Sequence, residues 1–364
     1  MPTFRTGAVV GLLSARPGLQ RVEVTFGEGD ESTPERAYAL TALTGPVEVG
    51  DEVVCNTTAV DLGLGTGGWH VVHWNLSRRE WQAPGPGHIM KLRYTSLQAD
   101  TGSAEELHAG EVAEADDLDG MPVVVCGLHS QVPCVAAAYR EATGGRRLAY
   151  VMTDGAALPL ALSDVVAAMV DAGLVATTVT AGHAFGGDHE AVNVPSALVV
   201  ARRVGQADAA VVGMGPGVVG TATRLGQSAL EVAPVLDAAE WLGGAPVAVP
   251  RFSLADPRAR HHGLSHHSVT SLGLATRARA TIGIPAGPFG AELRAELESA
   301  GLADRHRLLA VEDPDVAKLL EGHGLRVTSM GRGPDEDPAF YAVAGAGGTA
   351  AAALRSRADR RGDQ

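Results

Sequence analysis

From Met121 onward, short runs of β-branched and apolar residues alternate with Ala-rich amphipathic stretches, and this alternation limits the folds open to the chain. Such alternation favours a mostly parallel sheet, because each parallel connection needs a long crossover that a helix supplies. We therefore predict an α/β domain with a Rossmann-like sheet and helices on both faces. The predicted strands are Pro122–Cys126, Leu148–Met152, Val175–Val179, Ala209–Gly213, Pro246–Val249, Ala280–Ile284, Leu308–Val311 and Leu325–Thr328.

The first 98 residues follow a different pattern, in which alternating segments are separated by Gly-rich turns without a helical period. This pattern predicts a small all-β module similar to a barrel. The acidic stretch that follows is typical of a solvated linker. The predicted divisions are a β-module at 1–98, a linker at 99–120, an α/β domain at 121–355 and a disordered tail at 356–364.

One predicted strand of the β-module is rich in aromatic residues and histidine. Trp69, His70, His73 and Trp74 are candidates for a recognition face. The odd spacing of the two tryptophans places them on opposite sides of a strand, so one of them is expected in the core.

The charge and the cysteine content exclude several classes of protein. The formal net charge of −13 disfavours a nucleic acid or an anionic membrane as partner, and leaves a local basic pocket for a small anion open. Three cysteines cannot form a disulfide framework, and no apolar run reaches the roughly 18 residues that span a bilayer. With no signal-peptide pattern at the start, we expect a cytoplasmic homo-oligomer that binds a small-molecule ligand, by default a homodimer.

Polar residues follow the predicted strands at the ends where open α/β sheets bind ligands. Seven of the 13 histidines lie in these segments. Because parallel strands end at one edge of a sheet, we expect these side chains to surround one cavity. The histidines are His129, His183, His189, His261, His262, His266 and His267.

A Gly-rich segment, Gly215-x-Gly217-x-x-Gly220, stands between a predicted strand and a predicted helix. The dinucleotide fingerprint is incomplete, because Pro216 lacks an amide donor and no acidic residue ends the following strand. Backbone amides of such a segment would still suit a phosphate at a helix N-terminus. The candidate substrate or phosphate ligands are His129, Ser130, Gly215, Gly217, Gly220, Thr221, Thr223, Arg251 and Arg258.

Histidine and carboxylate donors in the same loops fit a divalent metal such as zinc, manganese or iron, although no recognised metal spacing occurs. The candidate ligands are His183, Asp188, His266 and His267. The candidate catalytic residues are Asp154, His183, Asp188 and His266.

Structural or simpler binding roles remain open for the same residues. The histidines can bond backbone atoms, or bind an anionic substrate when protonated. Asp154 can cap a helix over Gly155–Leu162, and Ser130 can cap a helix over Gln131–Ala142.

Several motifs are spread over nearly the whole chain. They are LGLGTGG at 62–68, GHIMKLRYT at 87–95, GHAFGGD at 182–188, GMGPG at 213–217, GLSHH at 263–267, MGR at 330–332 and DPAF at 337–340. Together they resemble the uncharacterised bacterial proteins of the domain of unknown function 3866 family. This resemblance supports the domain plan and the choice of loops, and it implies no activity.

Three functions remain open on these residues. The first, which we favour, is an enzyme that acts on a small phosphorylated or carboxylated metabolite by metal-assisted hydrolysis or group transfer. The second is a nucleotide-binding or metabolite-binding regulatory protein without catalysis. The third is an NAD(P)-dependent oxidoreductase.

Overall fold

The structure, a computed structural model, describes residues 1–27, 33–64 and 67–362. The contacts between residues divide the chain into two units, Met1–Gly102 and Ser103–Gln364. Among the described helices, none combines the length and the apolar character needed to cross a bilayer.

The first unit is built on five strands that close into a barrel. They are β1 (Phe4–Arg16), β2 (Leu19–Phe26), β3 (Glu35–Ala39), β4 (Glu52–Asn56) and β5 (Trp69–Asn75). Their order around the barrel is β1-β2-β3-β5-β4, and β4 pairs with β1. Strands β3 and β5 run parallel, whereas the other pairs are antiparallel. This connectivity is that of an OB-fold, and it confirms the predicted barrel-like module.

Alternate residues of the barrel strands form its core, which is mostly valine and alanine. His70 also points inward, where its Nε2 lies 2.8 Å from Glu35 Oε2, while the preceding Trp69 is only half-buried. The expected recognition face is therefore divided between the inside and the outside of the barrel. The remaining elements of this unit are α1 (Thr41–Thr44), α2 (Thr58–Asp61), β6 (Met90–Lys91) and β7 (Ala99–Asp100).

Residues 99–120, predicted as a solvated linker, include buried residues. Leu118 is fully buried in a core cluster of the second unit, and Glu105 Oε1 accepts a hydrogen bond of 2.9 Å from Val192 N. The acidic composition misled the prediction, because one of these carboxylates binds backbone instead of facing water. Two short helices lie in this stretch, α3 (Ala104–Leu107) and α4 (Ala109–Val112).

The second unit is built on an eight-stranded sheet in which every pair of neighbours is parallel. The chain runs through β8 (Pro122–Cys126), β9 (Leu148–Thr153), β10 (Thr177–Ala181), β11 (His189–Ala191), β12 (Ala209–Met214), β13 (Ala245–Val249), the small antiparallel pair β14 (Phe252–Ser253) and β15 (Gly263–Leu264), β16 (Thr281–Pro285) and β17 (Arg307–Val311). The order in the sheet is β11-β10-β9-β12-β8-β13-β16-β17. The predicted parallel sheet is thus confirmed.

Helices cover both faces of this sheet. They are α5 (Val132–Thr143), α6 (Asp164–Asp171), α7 (Val194–Arg203), α8 (Val232–Trp241), α9 (His266–Thr270), α10 (Pro288–Ser299), α11 (Val316–Gly322) and α12 (Pro338–Gly362). Val123 and Val125 of β8 share a core cluster with α7, α8 and α10. Val124 and Cys126, which point the opposite way, share a second cluster with α5, α6 and α11. Because β8 contributes to both clusters, both of its faces are covered.

One predicted strand near the end of the chain is wrong. Leu325–Thr328 is not a strand, although Leu325 is buried and Val327 O accepts a hydrogen bond of 2.9 Å from the Tyr341 hydroxyl. This apolar run packs against α12 without joining the sheet. Within the predicted tail of 356–364, α12 continues to Gly362, and residues 363 and 364 lie outside the described residues.

Candidate functional site

The chain changes direction across the sheet at β8. From β8 it passes through α5 to β9 and then to β10, on one side, whereas from β12 it passes through α8 to β13, on the other side. Helix α5 packs on one face of the sheet and α8 packs on the other. The connections that follow β8, β12 and β13 therefore diverge at this point of the sheet. Open α/β sheets bind ligands at such a switch point.

The structure does not bring Asp188 and His266 together. Asp188 Oδ2 accepts hydrogen bonds from the backbone N (2.8 Å) and the hydroxyl (3.0 Å) of Thr178, at the beginning of β10. His266 follows β13, which is four strand spacings away, or about 19 Å at 4.8 Å per spacing. The predicted cavity that joins these loops does not form, because the chain folds back along β10 before β11 begins.

His183 and Asp154 do lie together, after β10 and β9. The backbone N of His183 donates to Asp154 Oδ2 at 2.9 Å. The helix that Asp154 was expected to cap is absent, apart from a 3-10 turn at Leu160–Leu162. Asp154 therefore holds the His183 loop in place.

Sequence reasoning missed a carboxylate beside Asp154. Glu231 ends a 3-10 turn before α8, and its Oε1 accepts a hydrogen bond of 2.5 Å from the Thr153 hydroxyl. Burial, and to a lesser degree the charge of Asp154, raises the pKa of Glu231 against the lowering effect of the Thr153 hydrogen bond. No sequence motif around Glu231 indicates such a role, because only the folding of the chain brings it next to Thr153 and Asp154.

The Gly-rich segment after β12 does not open a helix. Gly215 lies so close to the β9 loop that a Cβ there would be 2.5 Å from Ala157 O. Pro216 O accepts a hydrogen bond of 3.0 Å from Ala157 N, and α8 begins only at Val232. The predicted phosphate site at a helix N-terminus is therefore absent from this segment.

The rest of that segment makes local contacts. The hydroxyls of Thr221 and Thr223 lie 2.7 Å apart, and both residues bond Gly226. Gly217 has a φ of 110°, which favours glycine. Gly220 contacts the histidine loop after β13, since a Cβ at Gly220 would lie 2.7 Å from His267 Cε1.

His129 joins three connections at the switch point. Its Nδ1 lies 3.1 Å from Met214 O and its Nε2 lies 2.7 Å from the Ser163 hydroxyl, which also caps α6. Burial lowers the pKa of His129, so the ring is neutral at pH 7. Ser130 does not cap the following helix: Gln131 Oε1 accepts the hydrogen bond of 3.1 Å from Leu128 N.

Three arginines converge on Asp256, which follows β14. Its fully buried carboxylate lies 2.9 Å from Arg251, 2.7 Å from Arg258 and 3.4 Å from Arg332. These contacts hold the pKa of Asp256 well below its usual range. Of the predicted anion ligands, Arg251 and Arg258 are thus brought together, although both are bound to a carboxylate.

Three imidazoles form a compact group beside these arginines. His261, His266 and His267 each offer a ring nitrogen, and these nitrogens all lie within 4.8 Å of one another. The ring centroids are 4.4 to 5.0 Å apart. This is the one such group of three metal-ligating side chains within the part of the chain that the structure describes. His266 and His267 were among the predicted metal ligands. The third member of the group is His261, and the predicted ligands His183 and Asp188 do not belong to it.

Ser265 fixes the orientation of His261. Arg260 Nε donates to His261 Nε2 at 3.3 Å, so the proton of the neutral ring is assigned to Nδ1. This Nδ1 then donates to the Ser265 hydroxyl at 2.7 Å, and the same oxygen accepts from His267 N at 3.3 Å. A ligating histidine is commonly held by a hydrogen bond at its other ring nitrogen, and Ser265 supplies that bond.

The three imidazoles are held in the neutral form that binds metals. Burial and then the charges of Arg251 and Arg258 lower the pKa of His261 to about 3. Burial, the neighbouring His266 and the arginines lower the pKa of His267 to about 4. The pKa of His266 is also lowered, mainly by burial.

Unsatisfied ring nitrogens are the feature of this group that calls for a ligand. His266 Nε2 and both ring nitrogens of His267 are buried without a hydrogen-bond partner. Unsatisfied buried polar atoms cost about 1–3 kcal/mol each, so native structures seldom keep them without a reason. Three neutral imidazoles with inward nitrogens fit a divalent metal with an open position.

The comparison with known families agrees with the motifs. The family model described as "Protein of unknown function (DUF3866)" matches residues 36–348, so the chain belongs to this family. No curated protein matches the chain. The family description carries no activity, and the site geometry is therefore the basis for a function.

Proposed function

We propose that the protein is an enzyme that hydrolyses, or transfers a group from, a small phosphorylated or carboxylated metabolite with the help of a divalent metal. His261, His266 and His267 would hold the metal. The observation that carries this proposal is the close group of three imidazoles, in which His266 Nε2 and both ring nitrogens of His267 are buried without partners.

The surrounding charge supports an anionic substrate. Arg251 lines the same small pocket as His267, and the charges of Arg251, Arg258 and Arg260 all act on the histidine rings. Positive charge this close opposes a bare cation. A metal held there would be favoured together with an anionic substrate, because guanidinium groups are well suited to carboxylate and phosphate.

Each histidine has a distinct part in this proposal. Ser265 holds Nδ1 of His261, so His261 would present Nε2 to a metal in exchange for its hydrogen bond with the exposed Arg260. His267 is buried against Gly220, which fixes its ring, whereas His266 is partly exposed and marks the side from which a substrate enters. A metal bound by three histidines lowers the pKa of a coordinated water toward neutrality and so supplies a nucleophile.

A regulatory protein that binds the same anion without turnover is the second candidate. The three arginines around Asp256 favour it, because they outnumber the carboxylate that they share and can hold an anion without reacting with it. For an NAD(P)-dependent oxidoreductase, the Gly215–Gly220 segment lacks the helix that should follow it.

Metal content and turnover should be measured on the same samples. The protein is dialysed against zinc or manganese, its metal content is determined by mass spectrometry, and hydrolysis of p-nitrophenyl phosphate and of a carboxylate-bearing ester is followed. His261→Ala and His267→Ala should each lose the metal and the activity. His262→Ala is the matched control, because His262 is exposed and outside the group. Metal without turnover would support the regulatory candidate, and equal metal content in all samples would refute the site.

A further inference from the structure

The outer face of the barrel carries a stack of rings and guanidinium groups that the proposed reaction does not use. Arg21 on β2 pairs with Tyr38 on β3, and Arg36 on β3 pairs with Trp69 on β5. Residues that alternate with these, such as Ala37, point into the core. The four side chains therefore lie on the outer side of three adjacent strands, and we call them the ring stack.

The two rings of the ring stack lie against one another, and the two guanidinium groups lie close to them. The rings of Tyr38 and Trp69 lie 4.7 Å apart at 15° to one another, which is a stacked arrangement. The guanidinium of Arg36 lies 4.8 Å from the Trp69 ring, and that of Arg21 lies 5.5 Å from Trp69 and 5.8 Å from Tyr38. Arg36 also donates to Gly67 O at 2.8 Å. Backbone hydrogen bonding and stacking thus hold the cations against the rings.

The ring stack borders an apolar cavity at the same end of the barrel. Trp69 lines this cavity of about 420 Å³ together with Leu40, Leu43, Leu64 and Val71. Leu64 belongs to the β4–β5 connection, and Leu40 follows β3. In OB-folds, the face of the second and third strands and the β4–β5 loop are the parts that bind oligonucleotides and oligosaccharides.

We propose that this face binds a short single-stranded nucleic acid, with its bases against the rings and its phosphates on Arg21 and Arg36. Aromatic rings accept any base by stacking, and arginine adds cation–π and phosphate contacts. The nearest carboxylate on β2, Glu23, is turned toward β1, since a Cβ at Gly11 would lie 2.9 Å from its Oε2. Glu23 pairs with Arg36 across the two strands, but both charged members of the ring stack are cations, which favours a phosphate backbone over a neutral sugar chain.

The net charge of the whole chain disfavours a nucleic acid as partner, whereas the local charge at Trp69 favours one. The value of −13 is a sum over the whole chain, and it does not describe the charge beside Tyr38 and Trp69. An acidic protein with two local cations should bind only a short segment, and its affinity should fall as salt rises.

Fluorescence anisotropy of labelled oligo-dT and oligo-rU of eight nucleotides tests the proposal with the full-length chain. We expect binding at 50 mM salt that weakens at 200 mM. Trp69→Ala should weaken it about tenfold or more, because one stacking platform is lost. Trp69→Phe should keep most of the affinity, and Arg36→Ala should lower both the affinity and its salt dependence. The matched control is Arg78→Ala, which removes an arginine stacked on another tryptophan of the same unit, Trp81.

Circular dichroism of each variant separates a loss of binding from a loss of fold. Absence of binding by the wild-type chain at 50 mM salt would overturn the proposal. So would affinities of Trp69→Ala and Arg36→Ala equal to that of the wild type. A neutral oligosaccharide such as maltoheptaose that binds this face in place of the oligonucleotides would also refute it.

Discussion

Replacement of Asp256 by Asn should strongly destabilise the second unit. The carboxylate is fully buried and contacts three guanidinium groups, at 2.9 Å (Arg251), 2.7 Å (Arg258) and 3.4 Å (Arg332). Asparagine keeps the shape but removes the negative charge, so the buried Arg251 and its neighbours would repel one another. Breaking a buried ion pair by removing one partner costs about 3–5 kcal/mol.

For a unit of this size that loss should lower the midpoint of thermal unfolding by roughly 6–20 °C, at about 2–4 °C per kcal/mol. Differential scanning calorimetry at pH 7 measures it. Asp335→Asn is the matched control, because Asp335 is exposed in the loop that also carries Arg332. A decrease of less than about 2 °C for Asp256→Asn, or an equal decrease for both variants, would refute the view that Asp256 neutralises this group.

Three further changes should have distinct effects. Gly220→Ala should push the His267 ring, which would lie 2.7 Å from the new Cβ, and should reduce the thermal stabilisation by added zinc. Gly283→Ala should lower the unfolding free energy by about 1–3 kcal/mol, measured by urea denaturation, because its Cβ would collide with Ala346 O of α12. The pKa of His306 is lowered by burial, so the unfolded chain takes up a proton more readily. Stability should therefore fall as the pH drops below about 6.5, and less steeply in His306→Gln.

Controls make these predictions decisive. Gly322→Ala, at the end of α11 with open space around it, should change neither the zinc effect nor the stability. An unchanged zinc effect in Gly220→Ala would mean that His267 does not hold the metal. Equal stability of Gly283→Ala and Gly322→Ala would contradict the close packing of α12. Identical pH profiles of the wild type and His306→Gln would remove His306 as a source of acid sensitivity.

The architecture of the second unit was predictable, because its inner strands are short runs, mostly apolar, that are buried on both faces. Pro122–Cys126 has the predicted bounds, and Ala209–Met214 extends the prediction by one residue. Leu325–Thr328 was predicted as a strand on similar grounds, but it pairs with no strand. Composition alone cannot separate such a run from a true strand. The edge strand His189–Ala191 was missed because it has three residues and follows a polar loop.

The site was predictable only in part. The stretch after β13 was among the predicted loops, and it supplies His266 and His267 to the imidazole group; their role as ligands stays a prediction. The third member, His261, was not among the predicted metal ligands. The spacing of residues in the sequence does not reveal the small β14–β15 pair, which brings His261 close to His266 and His267. Asp188 was selected for its neighbours in sequence, whereas its role is set by Thr178. Strand order decides which loops meet, and one sequence does not contain it.

The proposed function requires that His261, His266 and His267 together bind one divalent metal. Anomalous diffraction at the zinc edge from crystals grown with zinc tests it most directly. We expect a peak about 2.0–2.1 Å from one ring nitrogen of each of the three histidines. A protein that stays without a peak there, or that binds zinc at His183 and Asp188 instead, would contradict it.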